Sequence, residues 1–550
     1  MYTIFMVSRK IAERIDSLLS KESGTVFKDP GGRVSVCLVY PNTYHVGMSN
    51  LGFHGIYTLL NERRDVVCER AFLPGEEDMS EYARTGMGMV SLESKRPLGR
   101  FDVVAFSVSF ENDYPNILRI LRMSGIPLRA GNRTGADPLL IMGGACALFN
   151  PEPVADFFDI CFIGEAEDML GEFVEVYKAS DSRREMLERT AGIEGCYVPR
   201  FYEVAYGADG KIEGRKAFHG APDILKRRFV QDIAGCALRQ SIITPETEFS
   251  GMYLMEAMRG CPWSCRFCVA GHIYKPVRKK PIEALKEEIR SASASGRRIG
   301  LIAPSLTDYS YAKDVLCLDG IDFSITSLRA SRKSAELVRF LRNHRSVSIA
   351  PEAGTERLRR AVDKRITEDD IIETSRLILS EGVGTLRLYF LVGLPSETDR
   401  DCEGIIDLVK KIRGVSTKGQ IVLTISTFVP KPFTPFQWHG MEEMEVVKGR
   451  LKLIKSGLSG LKRVKAFNDV PKYSYLQGLF ARGDRRISEA LEIMLRAGDW
   501  RTACAEAGVD PSFYIFRRRE FGEVLPWDFI DNNVSREKLW EEYQEALRGK

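Results

Sequence analysis

Cys261, Cys265 and Cys268 fall within eight residues of "AMRGCPWSCRFCVAGH" (257–272), with Gly260 before the first, Pro262 after it and His272 four residues beyond the last. Three thiols this close suggest metal or redox chemistry rather than scattered core cysteines. A structural zinc site wants a fourth ligand, which His272 could supply, but zinc modules usually separate two short ligand pairs by a longer loop. An iron–sulfur cluster on three cysteines leaves one iron open to an outside ligand, a useful arrangement for catalysis. Half of a disulfide framework is the third option, disfavoured in a reducing compartment.

Composition sets the frame for that loop. At 550 residues the chain exceeds one ordinary core, so two to four domains are expected. The balance of 44% apolar and 28% charged residues is that of a soluble globular protein, and the net charge of +4 gives no global field towards nucleic acid or an anionic membrane. The opening "MYTIFMVSRKIAERIDSLLSK" lacks a basic start followed by a clean apolar run, so no secretory signal is expected, and no apolar run is long enough to span a bilayer. The expected location is the cytoplasm. Cys37 and Cys161 sit inside apolar runs and read as small buried hydrophobes.

Elements that could position the thiols follow from periodicity. The runs 34–40, 101–110 and 138–145 and the start of 157–178 read as strands alternating with helices, a parallel sheet covered on both faces. Ligands of such sheets collect at the carboxyl ends of the strands, here Tyr44 to Asn50, Ser107 to Asn112, Gly143–Gly144 and Gly164–Glu165. After a connector with a hairpin-like "YGADGKIEG" (206–214), a second series begins at Met252. Six strand candidates with intervening helices imply a partial or full β/α barrel, with the cysteines following its first strand. The fold class is therefore α/β: a doubly wound, Rossmann-like sheet, a central barrel, and a mainly helical C-terminal region. The expected division is an extension (1–33), the sheet (34–205), a connector (206–248), the barrel (249–445) and the helical region (446–550).

C-x3-C-x2-C with Phe267 immediately before the last cysteine resembles the radical S-adenosylmethionine (SAM) superfamily. The resemblance implies a [4Fe–4S] cluster on Cys261, Cys265 and Cys268, with SAM chelating the fourth iron and an electron donor such as flavodoxin or ferredoxin. "APEAGTERLRR" (350–360) resembles the strand end whose Glu, here Glu352, contacts the SAM ribose; its other reading is a cap on the following helix. "YFLVGLPSET" (389–398) resembles the strand whose backbone meets adenine, with Gly393 allowing close approach. Where relatives carry Gly-Gly-Glu, "IAPSLTDY" (302–309) offers Ser305 instead.

The first sheet resembles the cobalamin-binding domain of cobalamin-dependent radical SAM enzymes, which implies a corrin near Ser107, Ser109, Gly143, Gly144 and Glu165, with Tyr44, His45 or Met48 below cobalt. Glu165 and Glu167 equally read as helix caps. The D-x-H-x-x-G loop of other cobalamin proteins is absent. "FVPKPFTPFQW" (428–438) resembles the end of a methylthiotransferase barrel. The leading expectation is thus cobalamin-dependent methylation of an unactivated carbon. The alternatives are cobalamin-independent sulfur insertion or rearrangement of RNA, protein or a metabolite, and a non-catalytic iron–sulfur redox or sensor protein.

Overall fold

A computed structural model describes residues 7–549 apart from 236, 237, 294, 295, 326, 342 and 343. The first six residues of the expected extension lie outside that set, as do position 326 of the strand candidate "IDFSITSL" (321–328), positions 294 and 295 of the helix candidate "PIEALKEEIRSASASG" (281–296), and positions 342 and 343 of the helix candidate "SAELVRFLRN" (334–343).

The N-terminal sheet contains β1 (Val34–Tyr40), β2 (Val66–Phe72), β3 (Val103–Ser107), β4 (Leu139–Gly143), β5 (Ile160–Phe162) and β6 (Cys196–Tyr197). Their order is β2-β1-β3-β4-β5-β6, parallel except for the antiparallel edge strand β6. All seven residues of β1 are buried, as a central strand covered on both faces requires. β2 was not expected, because Glu69 and Arg70 interrupt its apolar run. Both are buried but satisfied: Glu69 accepts from Ser91 and Ser94, and Arg70 pairs with Glu93 and Glu22, each at 2.7 Å.

The barrel strands are β7 (Met252–Glu256), β8 (Arg298–Ile302), β9 (Phe323–Ser324), β10 (Ser346–Glu352), β11 (Thr385–Val392), β12 (Gln420–Thr427) and β13 (Val464–Asn468). They pair in parallel as β7-β8-β9 and β10-β11-β12-β13, and a parallel bridge between Ser327 and Ser348 joins the two groups. All six expected strands are present. The seventh, β13, lies in the region expected to be helical, so the helix Met444–Leu458 is a crossover and the parallel sheet extends beyond residue 445. Helices dominate the remainder to Leu547, among them Pro471–Arg482, Ile487–Ala497 and Arg536–Leu547.

Two apolar cores result. One fills the space between the barrel strands and their helices. The other runs without a break from the N-terminal sheet to Ile273, Ala353, Leu358 and Phe428, residues at the mouth of the barrel. The C-terminal segment closes over the same end: Asn150 donates to the carbonyls of Ala481 and Gly483, and Asn532 donates to that of Leu148. Of the three successive arginines 517–519, Arg517 is paired with Glu523 and Arg519 donates to the carbonyl of Arg482.

Candidate active site at the carboxyl ends of the barrel strands

The cysteine loop leaves β7 and is closed at its base by antiparallel pairing of Met258–Arg259 with Arg278–Lys279. Two glycines are required by contact. A Cβ on Gly260 (φ +82) would lie 2.4 Å from the Tyr274 carbonyl oxygen, and one on Gly271 would lie 2.6 Å from that of Trp263. The loop is anchored to the barrel by Arg266, whose backbone N–H donates to Val362 and whose guanidinium donates to Ala361.

Cys265 is buried, while Cys261 and Cys268 are half-buried. Burial pushes all three thiols up, and each is raised further by one of the others. Opposing this, backbone N–H groups of Trp263 reach Cys261, and those of Gly271 and Ala270 reach Cys268; Lys364 and Arg329 favour the thiolate of Cys265. Each sulfur feels the charge of another, and among the described residues no group of three or more His, Cys, Asp or Glu side chains is placed to hold a single metal ion.

The neighbouring strand ends bring polar groups to the loop. After β8, Asp308 accepts from Ser305 Oγ at 2.7 Å and from Trp263 Nε1 at 2.6 Å. After β9, the Arg329 guanidinium stacks 3.7 Å from the Trp263 ring centroid. At the end of β10, Glu352 holds a left-handed backbone (φ 67) where the register slips, and pairs with Lys364 at 2.9 Å. Lys364 in turn lies 6.0 Å from the Phe267 centroid. Glu352 is not the helix cap: Thr355 caps the helix Glu356–Ala361. After β11, Gly393 (φ 90) donates its N–H to Glu397 at 2.6 Å, so that donor is not free for a ligand. Asp308, Arg329 and Lys364 were not singled out from the sequence; each is a lone charge whose role appears only once the strand ends meet.

His272 is buried and uncharged, its pKa lowered to about 4 by burial, with Nε2 3.4 Å from the Cys265 carbonyl oxygen. It buttresses the loop backbone.

The residues expected around a corrin are divided among separate places. Tyr44 donates to Glu22, His45 lies on the surface 3.7 Å from Glu248, and Met48 is buried with its sulfur accepting from Arg70. Ser109 accepts from Asn50. Ser107, Gly143 and Gly144 line an apolar cavity of about 60 Å³. Gly144 (φ 97) is needed because a Cβ there would lie 2.6 Å from the Val108 carbonyl oxygen. Glu165 is neither cap nor open ligand: it is buried against Arg259 at 2.6 Å and Arg278 at 2.7 Å and accepts from the Val230 N–H. Its pKa is held low: burial opposes the charge, but the two arginines and the N–H outweigh it. Glu167 shares Arg259, yet burial raises its pKa, so Glu165 is the carboxylate the arginines serve.

The loop and strand ends match a family pattern. Residues 255–409 match the model described as "Radical SAM superfamily", and residues 52–199 match "Radical SAM proteins, N-terminal". The chain belongs to the radical SAM superfamily. An uncharacterized protein of Methanocaldococcus jannaschii is 31% identical over 83% of this chain and 90% of its own length. A tRNA-2-methylthio-N(6)-dimethylallyladenosine synthase of Psychromonas ingrahamii is 25% identical over 36% of this chain and 48% of its own, so the radical SAM chain here spans about half of that relative. The solved cobalamin-dependent S-adenosylmethionine radical enzyme OxsB with aqua-cobalamin bound is similar at TM-score 0.48 and 11% identity, covering 94% of this chain and 80% of that one. Membership implies SAM and an iron–sulfur cluster. No helix among the described residues is long and apolar enough to cross a membrane.

Proposed function

We propose that this radical SAM enzyme cleaves S-adenosylmethionine reductively at a [4Fe–4S] cluster held by Cys261, Cys265 and Cys268, and uses the resulting 5′-deoxyadenosyl radical to take hydrogen from an unreactive carbon. The observation that carries this reading is the closed three-cysteine loop at the barrel mouth, inside the segment matching the superfamily model. The donor set fits: three thiols, backbone N–H groups on two of the sulfurs, and two nearby cations. When bound, such a cluster supplies the one electron that breaks the SAM sulfur–carbon bond.

The chain's own residues position and shield. Phe267 and Trp263 give the loop apolar and aromatic walls, and Arg329 and Asp308 fix Trp263 from two sides. Glu352, aimed by Lys364, is the acceptor for ribose hydroxyls, and the turn at Gly393 bounds the adenine side. Ser305 is committed to Asp308, so the pair acts together as the polar group at the β8 end. A reducing cytoplasm with a flavodoxin- or ferredoxin-type donor suits this chemistry.

Cobalamin-dependent methylation, the leading expectation from the front of the sequence, is not carried by the residues named for it. The cavity of about 60 Å³ lined by Ser107, Gly143 and Gly144 lies between one face of the N-terminal sheet and the helices that cover it, so these three residues do not by themselves frame a corrin. Of the other expected contacts, Tyr44, Met48 and Glu165 are engaged by Glu22, Arg70, Arg259 and Arg278, Ser109 accepts from Asn50, and His45 stays on the surface. No step is assigned to cobalamin, and cobalamin-independent radical chemistry, sulfur insertion or rearrangement, is the reading we favour. A redox or sensor protein with a closed cluster would want His272 as a fourth ligand, but that ring faces the Cys265 carbonyl. The test is anaerobic reconstitution with iron and sulfide, followed by reductant and SAM. Formation of 5′-deoxyadenosine supports the reading, and a reconstituted cluster that leaves SAM intact overturns it. Hydroxocobalamin, added separately, should not bind.

A further inference from the structure

The inner face of the last three barrel strands is built unlike a closed core. In β11, Leu386, Leu388, Phe390 and Val392 are buried against the barrel helices, as are Ile421, Leu423 and Ile425 in β12. Val464 and Ala466 of β13 pack on the same side. Strand alternation therefore turns Arg387, Tyr389, Thr424, Lys465 and Phe467 to the opposite, inward face. The hydrogen bond from Arg387 Nε to Ser346 Oγ at 3.1 Å, across to β10, confirms that orientation.

Register orders these residues into two rows. Tyr389 is level with Thr424, and Thr424 with Phe467; one row deeper, Arg387 is level with Val422, and Val422 with Lys465. Two aromatic rings thus stand two strands, or about 10 Å, apart, above two cations. Tyr389 is 39% exposed and Phe467 58%. β13 is also the sheet edge, and the chain around it is basic: between residues 460 and 475 there are four cations, Lys462, Arg463, Lys465 and Lys472, against the single acid Asp469. Among the described residues, no carboxylate pairs with Lys462, Arg463 or Lys465. Past the strand end, Tyr473 is 58% exposed, and its carbonyl accepts from Asn112 at the N-terminal sheet. Lysines alone would be explained as protection of an exposed edge. Large aromatic rings exposed beside them work against that purpose.

We propose that this face binds single-stranded RNA and leads one nucleotide into the barrel towards the cysteine loop. Aromatic faces accept unstacked bases, and unpaired cations accept the phosphates between them. Duplex is disfavoured because its bases are already stacked, and folded RNA offers unpaired loops as its recognised surface. The inference rests on the radical SAM reading and names its substrate class.

The test uses the full chain and a fluorescein-labelled 12-nucleotide single-stranded RNA of mixed sequence, read by anisotropy. Saturable binding that weakens with salt is expected. Phe467→Ala should weaken it about tenfold, the scale of one lost base stack. Phe467→Leu, which keeps apolar bulk but removes the ring, should weaken it comparably and guards against misfolding. Lys465→Glu should weaken binding and reduce the salt slope by about one. Binding that is absent, equal for single-stranded DNA or for poly-glutamate of the same charge, or unchanged in both Phe467 variants overturns the proposal. Wild-type SAM cleavage, measured in parallel without RNA, separates the two readings: cleavage without RNA binding removes only the substrate class, and RNA binding without cleavage removes only the radical chemistry.

Discussion

Lys364 Nζ lies 2.9 Å from Glu352 Oε1, tying together the two flanks of the helix Glu356–Ala361 at the barrel mouth. Glu352 sits in a left-handed backbone conformation that a glutamate adopts only where its surroundings impose it. Its carboxylate is thereby held beside the cysteine loop, because Lys364 also faces Cys265.

Removing that acceptor should weaken SAM binding more than it harms the protein. Glu352→Ala is expected to raise the SAM dissociation constant roughly tenfold to a hundredfold, the range for a hydrogen bond to a charged group. Iron content should be unchanged. Calorimetry with SAM on reconstituted protein checks both.

Trp263 is held by Asp308 on its indole nitrogen and by Arg329 on its face. Trp263→Ala loses both contacts and loosens the loop between Cys261 and Cys265. Iron release to a chelator should speed up on the order of tenfold, with absorbance loss near the cluster band as the readout.

Glu165 joins the N-terminal sheet to the base of the cysteine loop through Arg259 and Arg278. Glu165→Ala leaves two buried guanidinium groups short of their counter-charge, a loss of about 3–5 kcal/mol. The urea midpoint should fall accordingly, and Glu165→Gln should fall less because it keeps hydrogen-bond acceptance from Arg278.

Asp113, beyond the carboxyl end of β3 in the N-terminal sheet, has its carboxyl pushed up to about 6 by burial, against hydrogen bonds from Asn42 and Asn116, with Glu111 nearby adding to the rise. Glu111 itself is paired with Lys431. The folded state keeps this proton to higher pH than the unfolded chain does, so its favourable contribution is complete below about pH 4 and is lost as pH rises through 6. Asp113→Asn removes the titration. Its stability relative to wild type should rise from pH 4 to pH 7, as denaturation midpoints across that range would show.

The cysteine loop was legible because its ligands are local: three thiols in eight residues need no tertiary information. The six barrel strands were legible for a similar reason, each being an apolar run of strand length. β2 and β13 were not, since Glu69 and Arg70 make sense only beside Ser91, Glu93 and Glu22, and Lys465 and Phe467 only on an open inner face. Glu165 reads as a cap or a ligand until Arg259 and Arg278, about a hundred residues later, are placed against it. Long-range charge pairing leaves no periodic trace in a sequence, and that is why Tyr44, Met48 and Glu165 read as open to a ligand before their partners are placed.

The most direct measurement is the yield of 5′-deoxyadenosine from anaerobically reconstituted protein given a reductant and SAM, in wild type and in Cys265→Ala. The account predicts 5′-deoxyadenosine from wild type and none above background from the variant, with iron content falling in parallel. Equal 5′-deoxyadenosine from both proteins, or none from a wild-type protein carrying its full complement of iron and sulfide, would contradict it.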